Sequence, residues 1–255
     1  MRIDELRREP TINARQSTAS QLSKYANDPK MAVSFSPIKK IGINPQSDWD
    51  TPNGVYAYQL NQYKSALEGK DSIEGVFPFG SERPYVFILE SRASNPLDFD
   101  KNIPDSDFEK FTHFVMRHFD VDQAAIDTFL TPKMKSRFPT NSQRLYYMIR
   151  RLLLNEGGGT VTPGMTNKFN KILRSFGYDA VVDNGHGVLH SGMEPIQVVF
   201  LTPSAYTQKD LLSNDTLHRD DRHHAYGRGG KHTKAHLDAM KKYGKETAGD
   251  NDVPY

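Results

Sequence analysis

The 255-residue chain contains no cysteine. That excludes disulfides, a thiol nucleophile and thiolate metal sites, and it fits a reducing compartment. Long apolar runs are also missing. None approaches the roughly 20 residues that a membrane-spanning helix needs. The opening stretch MRIDELRREPTINAR is too charged for the apolar segment of a secretory signal. Neither sign of charge dominates: 33 Lys and Arg against 31 Asp and Glu leave a formal +2. The chain as a whole therefore announces no polyanionic partner, and only local clusters can. Hydrophobic residues make up 36% of the chain and the mean hydropathy is −0.67. A soluble globular centre diluted by solvated segments is expected, long enough for one large or two small domains.

The remaining pattern reads as strands, then helices, then strands. Residues 17–27 suit a short helix, and MAVSFSPIKKIGI (31–43) suits one or two short strands. GVYAYQL (54–60) is a strand candidate, continuing into a short helix that Gly69 would close. PYVFILES (84–91) is a buried strand, with four large apolar residues in succession. Phe108, Phe111, Val115 and Phe119 then recur at helical spacing, with Asp105 or Ser106 able to cap the start. A second helix is expected at 121–130 and a third from Asn141 or Ser142. TNKFNKILRSFG predicts an amphipathic helix capped by Thr166 and closed by Gly177. YDAVVD, GVLH and PIQVVFL predict three strands in quick succession. The order implies an α+β domain, and no internal repeat is present.

Ionisable residues crowd the turns of that last β-unit. A hairpin turn at Asn184-Gly185 would bring Asp183 near His190 across two strands. Glu194 enters the next strand, with Gln197 on it. A carboxylate at the mouth of a strand can accept hydrogen bonds from hydroxyls or orient a nucleophile. No metal site is expected, because His186 and His190 lack a third ligand at useful spacing. The glycines at 157–159 are not a Walker loop, since no Lys-Ser/Thr pair follows them.

Two separated segments carry a family resemblance. VSFSPIKKIGINPQS (33–47) followed by TPNGVYAY (51–58) gives a strand, a polar loop and a Gly-Val-Tyr strand. FGYDAVVD (176–183) followed by EPIQVVFLTPSAY (194–206) gives a Gly-Tyr-Asp turn and a strand closing on Pro-Ser. In that order they resemble the ADP-ribosyltransferase superfamily, especially its divergent phage and mobile-element forms. The resemblance covers roughly a third of the chain. It implies a split β-sheet core, with residues 105–155 as an inserted helical block. It also implies NAD as substrate, a macromolecular acceptor (protein or nucleic acid), and residence in a host cytosol or with a virion.

Residue by residue, the resemblance places Tyr56 against the nicotinamide ring, with Tyr58 beside it. A tyrosine face suits a planar cation. Phe35 and Ser36 stand where the family has a first-strand His or Arg. Glu194 or Gln197 takes the place of the catalytic glutamate, and Glu194 is the only carboxylate there. His190 and Asp183 would support the turn or meet the NAD phosphates, and Lys39 and Lys40 can reach a pyrophosphate as point charges. The missing cation and displaced glutamate keep a second reading open, a non-catalytic binding or virion-associated protein on the same scaffold.

Three parts are expected: an arm or short helix over 1–30, one domain over 31–210, and a flexible tail over 211–255. The tail is basic and carries five histidines (218, 223, 224, 232, 236), with Tyr226 and Tyr243 interleaved. It can contact nucleic-acid phosphates without sequence preference.

Overall fold

In the computed structural model, residues 18–36, 38–43, 52–67, 85–186, 188–189 and 196–213 are described. Gly69, His190, Glu194, the arm over 1–17 and the basic tail from 214 lie outside them. No helix among the described residues is long and apolar enough to cross a membrane.

The elements follow the expected order. A short helix α1 (Thr18–Ser23) leads into β1 (Met31–Ser36) and β2 (Val55–Gln59). A 3-10 turn (Leu60–Tyr63), α2 (Lys64–Leu67), β3 (Tyr85–Ser91) and β4 (Pro96–Asp98) come next. The helical block is α3 (Asp105–Phe119), α4 (Gln123–Asp127), α5 (Pro132–Arg137) and α6 (Asn141–Glu156). After α7 (Pro163–Ser175) the chain returns to strands β5 (Ala180–Asn184), β6 (Ile196–Phe200) and β7 (Tyr206–Ser213).

One mixed sheet of seven strands runs in the order β4-β5-β6-β2-β1-β3-β7. Only the β4–β5 pair is parallel. Its ladders are uneven. β1 is in register with β3 from Met31↔Glu90 to Ser36↔Tyr85, and β2 with β6 over four positions. Between β1 and β2 only Ala32↔Gln59 and Val33↔Tyr58 pair. Ser34–Ser36 of β1 and Val55–Ala57 of β2 lie outside that ladder. The sheet is therefore two half-sheets, β4-β5-β6-β2 and β1-β3-β7, joined by two register pairs.

Each half carries its own core on one common face. α3, α4, α6 and α7 cover Val181, Val199 and half-buried Tyr56, around fully buried Phe99, Tyr146 and Phe169. α1, the 3-10 turn and α2 cover Val33, Phe35, Tyr58, Val86 and Ile88 through Leu22, Leu60 and Tyr63. The other face carries one continuous cluster, including Val55, Ala57, Phe87, Val198 and Phe200. Each buried Leu, Ile or Phe contributes about 1.5–3 kcal/mol relative to exposure.

Several boundaries differ from the sequence expectations. Thr166 does not cap α7: the helix starts four residues earlier, with Thr162 Oγ1 accepting from Met165 N–H (3.2 Å) and Pro163 at its first position. Gly177 closes the helix as expected. At φ +88° it completes a double bond pattern, Tyr178 N–H to Leu173 O and Gly177 N–H to Arg174 O. α3 has no side-chain cap at its start; instead Asp105 and Asp107 sit in the first turn, where the helix dipole favours them. Of the expected strand over 187–190, Val188 and Leu189 lie in a bend rather than a strand. β7, which no sequence pattern announced, extends to Ser213 and pairs with β3 along its length.

The last turn of α3 has a pH-sensitive group. His118 stacks on Phe114 (5.4 Å) and meets the edge of Phe119. His118 is solvent-exposed overall; partial desolvation against these rings, and then the nearby Lys168 ammonium, hold its pKa below the ordinary 6.5. A depressed folded value means that stability is full above 6.5 and is lost as pH falls through the folded pKa. The thermal midpoint should fall between pH 7.5 and 5, and His118→Gln should flatten that part of the profile. Solvent screening keeps this contribution below about 1 kcal/mol.

Candidate functional site

The junction of the two half-sheets gathers most of the sequence candidates. Asp183 pairs with Gln197 and Gln197 with Tyr58, which in turn pairs with Val33. Directly opposed residues project to the same side, so Asp183, Gln197 and Tyr58 form one row across β5, β6 and β2. Tyr56 lies two residues from Tyr58, and Phe35 two from Val33, both on that same face. Five candidates from four strands thus share one side of the sheet, on either side of the β1–β2 opening.

Ser36 does not join them. It follows Phe35, so it faces the other way, and its hydroxyl accepts from Ile38 N–H (3.2 Å) and donates to Lys40 O (3.4 Å). It shapes the loop after β1, which carries exposed Lys39 and Lys40.

The local sequence explains how β2 reaches this position. A Cβ at Gly54 would stand 2.5 Å from Val199 Cγ1 and 2.8 Å from Phe200 O, so only glycine lets β2 enter against β6. Asn53 Nδ2 donates to Asn167 Oδ1 (2.6 Å), and Asn53 N–H donates to Thr166 O (3.1 Å). Asn170 then donates to the carbonyls of Asn53 and Leu201 (3.1 Å to the latter), tying β2 and the end of β6 to α7. Tyr56 OH donates to Pro52 O (3.0 Å), which fixes its half-buried ring.

Asp183 organises the loop beyond β5. Its side chain is buried; Oδ1 accepts from His186 N–H (2.7 Å), and Oδ2 accepts from Val188 (2.7 Å) and Leu189 (2.9 Å) N–H. The other side of the loop is tied to the end of β4. His186, which the sequence offered only as a turn tip, contacts Asp100, and Asn184 donates to Asp98 (3.2 Å) and Asp100 (2.6 Å).

A second positioning residue went unread in the sequence. Gln62 donates to Ile196 O (3.0 Å) and accepts from Ile196 N–H (2.6 Å), so its amide acts as one more strand position at the start of β6. Ile196 lies two residues after Glu194 and immediately before Gln197. The clamp therefore sets where this segment enters the sheet.

The face is closely packed. Phe35, Tyr58, Asp183 and Gln197 are each at most 5% exposed, and only Tyr56 is half-buried. Depressions lie elsewhere. One of about 260 Å³ sits on the opposite face, lined by Ala32, Gln59, Val182, Val198 and Asn184 among others. Another of about 430 Å³ lies at Tyr25, Met31, Glu90 and Lys209. Neither contains Tyr56, Tyr58 or Gln197. Among the described residues, no three His, Asp or Glu side chains cluster as a metal site.

What the arrangement offers is a half-buried tyrosine (Tyr56) packed against the helical core, a buried row of polar side chains beside it and a clamped strand mouth. Comparison with protein-family models, curated proteins and solved structures returned no significant match.

Proposed function

We propose that the chain is an NAD-dependent mono-ADP-ribosyltransferase whose site lies at the β1–β2 opening. The observation that carries this reading is the uneven sheet itself. The ladder between β1 and β2 stops after two register pairs, and Phe35, Tyr56, Tyr58, Gln197 and Asp183, five of the residues the resemblance singles out, share one face there. A split core is what the resemblance implies, and the split falls inside the first of the two segments that carry it, between β1 and β2.

In this reading Tyr56 stacks the nicotinamide ring. Glu194, with Gln197 beside it, holds a ribose hydroxyl and stabilises positive charge on the ribose as its bond to nicotinamide breaks. Nicotinamide leaves with that bonding pair, and the acceptor nucleophile bonds to the ribose carbon. Gln62 and Asp183 act through position, one fixing the entry to β6 and the other the preceding loop. Lys39 and Lys40 are placed on the loop after β1, where they can meet a pyrophosphate. The site belongs to a soluble protein acting in a host cytosol or carried with a virion.

A non-catalytic binding or virion-associated protein on the same scaffold is the second reading. It is favoured by the burial of Gln197, an amide rather than a carboxylate, and by Phe35 and Ser36 in place of a cation.

Thermal unfolding with and without NAD separates the two. A ligand that binds only the folded state at a hundredfold excess over Kd adds about 2.7 kcal/mol, or roughly 5–10 °C in midpoint for a domain this size. The transferase reading expects such a rise with NAD and a smaller one for Tyr56→Ala. An unchanged midpoint at millimolar NAD would leave the scaffold reading.

A further inference from the structure

A concentration of positive charge lies in the helical block. Residues 132–175 contain nine Lys and Arg and one acid, Glu156, a net +8 in a chain whose total is +2. The remaining residues therefore sum to −6. No carboxylate occurs from Pro132 to Asn155, while Lys133, Lys135, Arg137, Arg144, Arg150 and Arg151 all fall there.

The fold displays these cations rather than scattering them. α6 is buried on most of its circumference, through Leu145, Tyr146, Met148, Ile149, Leu152 and Leu153. Up to Leu154, the positions that reach solvent are Arg144, Tyr147, Arg150, Arg151 and Leu154, a single stripe at helical spacing. Arg144 and Arg151 are seven residues apart, about 10 Å along the helix. α5 is fastened beside this stripe. Arg144 donates to the carbonyls of Phe138 (2.7 Å) and Pro139 (2.9 Å), Phe138 stacks on Tyr147 (4.5 Å), and Arg137 lies over the Phe138 ring. Lys133, Lys135 and Arg137 are exposed on α5. Nothing in the core requires this composition, since the apolar face of α6 already supplies the packing.

We infer that the exposed edge of α5 and α6 is a docking surface for double-stranded nucleic acid, contacted through its phosphates without sequence preference. Arginine forks match phosphate oxygens; Arg150 and Arg151, with Lys133, Lys135 and Arg137 on α5, supply the cations that reach solvent, while Arg144 Nη1 holds α5 beside them. Single strands bind on open aromatic platforms. Here the Tyr147 ring is already stacked on Phe138 and edge-on to Phe129, so cations dominate the available chemistry. This surface would bind duplex whether or not the β1–β2 site turns over NAD.

Fluorescence anisotropy of the full chain with a labelled duplex, between about 50 and 200 mM salt, tests this. The variant combines Lys135→Gln, Arg150→Gln and Arg151→Gln; the control carries Lys241→Gln, Lys242→Gln and Lys245→Gln in the tail. Wild type should bind with a steep salt dependence. The surface variant should lose tenfold or more at low salt, with the log–log slope reduced by about one per phosphate contact removed. Its thermal midpoint should stay within about 2 °C of wild type, as expected for surface changes. Should the triple variant not fold, Lys135→Gln alone must still lower the slope by about one. No duplex binding by wild type, or an unchanged slope in the surface variant, would overturn the inference. Loss confined to the tail variant would overturn it too. Competition by polyglutamate as effective as by duplex would point to an acidic protein partner instead.

Discussion

Replacing Asp183 with alanine is expected to lower the stability of the domain by about 3 kcal/mol, or roughly 6–12 °C in thermal midpoint. The carboxylate is 2% exposed and accepts three backbone N–H groups from a four-residue span, 186–189. Removing it leaves all three donors without that acceptor. Water can reach His186, which is exposed, more readily than Leu189, which is buried. An unsatisfied buried donor costs about 1–3 kcal/mol, so the Leu189 and Val188 donors set most of the loss. The same loop places Leu189 and Val188 against the helical core, and those contacts loosen with it. Asp183→Asn keeps one acceptor oxygen and should recover part of the loss. Denaturant unfolding of the two variants gives both numbers. A loss below about 1 kcal/mol for the alanine variant would mean the loop is held by other contacts, with Asp100 and His186 the first to examine.

The second large effect is on chemistry. Glu194→Gln should reduce ADP-ribosyl transfer by about 10²–10³-fold, the usual consequence of deleting one group that stabilises developing charge. Gln197→Ala is expected to act differently. Gln197 is buried in the row between Asp183 and Tyr58, so truncation opens space in a packed sheet and costs stability before it costs rate. Transfer rates normalised to folded protein separate the two roles. A silent Gln197→Ala beside an active Glu194→Gln would move the catalytic position to residue 197. Gln197→Glu would then be expected to raise the rate.

Much of the frame was legible because its signals were redundant. β3 is four large apolar residues in a row, and all four are buried. α6 and α7 show helical periodicity, and α7 ends on a glycine whose positive φ the closing motif requires. Where two cues compete, local pattern alone misleads. Thr162 and Thr166 both precede apolar residues, and Pro163 at the first helical position decides for Thr162. Val188 and Leu189 look like strand residues because they are apolar. They reach the core from a loop whose N–H groups Asp183 has taken. β7 was hidden for the opposite reason: Thr207, Gln208 and Lys209 are exposed on a sheet edge, so half the strand carries no apolar pattern.

The candidate site was legible in its residue types and not in its supports. Tyr56 and Tyr58 belong to one motif and Asp183 and Gln197 to another, and strand register brings the two to one face. Gln62 meets Ile196 across 134 positions, and Asp100 meets His186 across 86. No local spacing encodes either contact. The basic stripe of α5 and α6 was likewise masked by a whole-chain charge near zero.

The measurement that tests the central claim most directly is incubation of the purified chain with labelled NAD and a bacterial lysate, alongside Tyr56→Ala and Tyr56→Phe. Wild type should transfer label to a macromolecule and release nicotinamide. Tyr56→Phe, which keeps the ring, should retain much of that activity, and Tyr56→Ala should lose it while remaining folded. If wild type neither transfers label nor releases nicotinamide, and NAD leaves its thermal midpoint unchanged, the transferase account is contradicted.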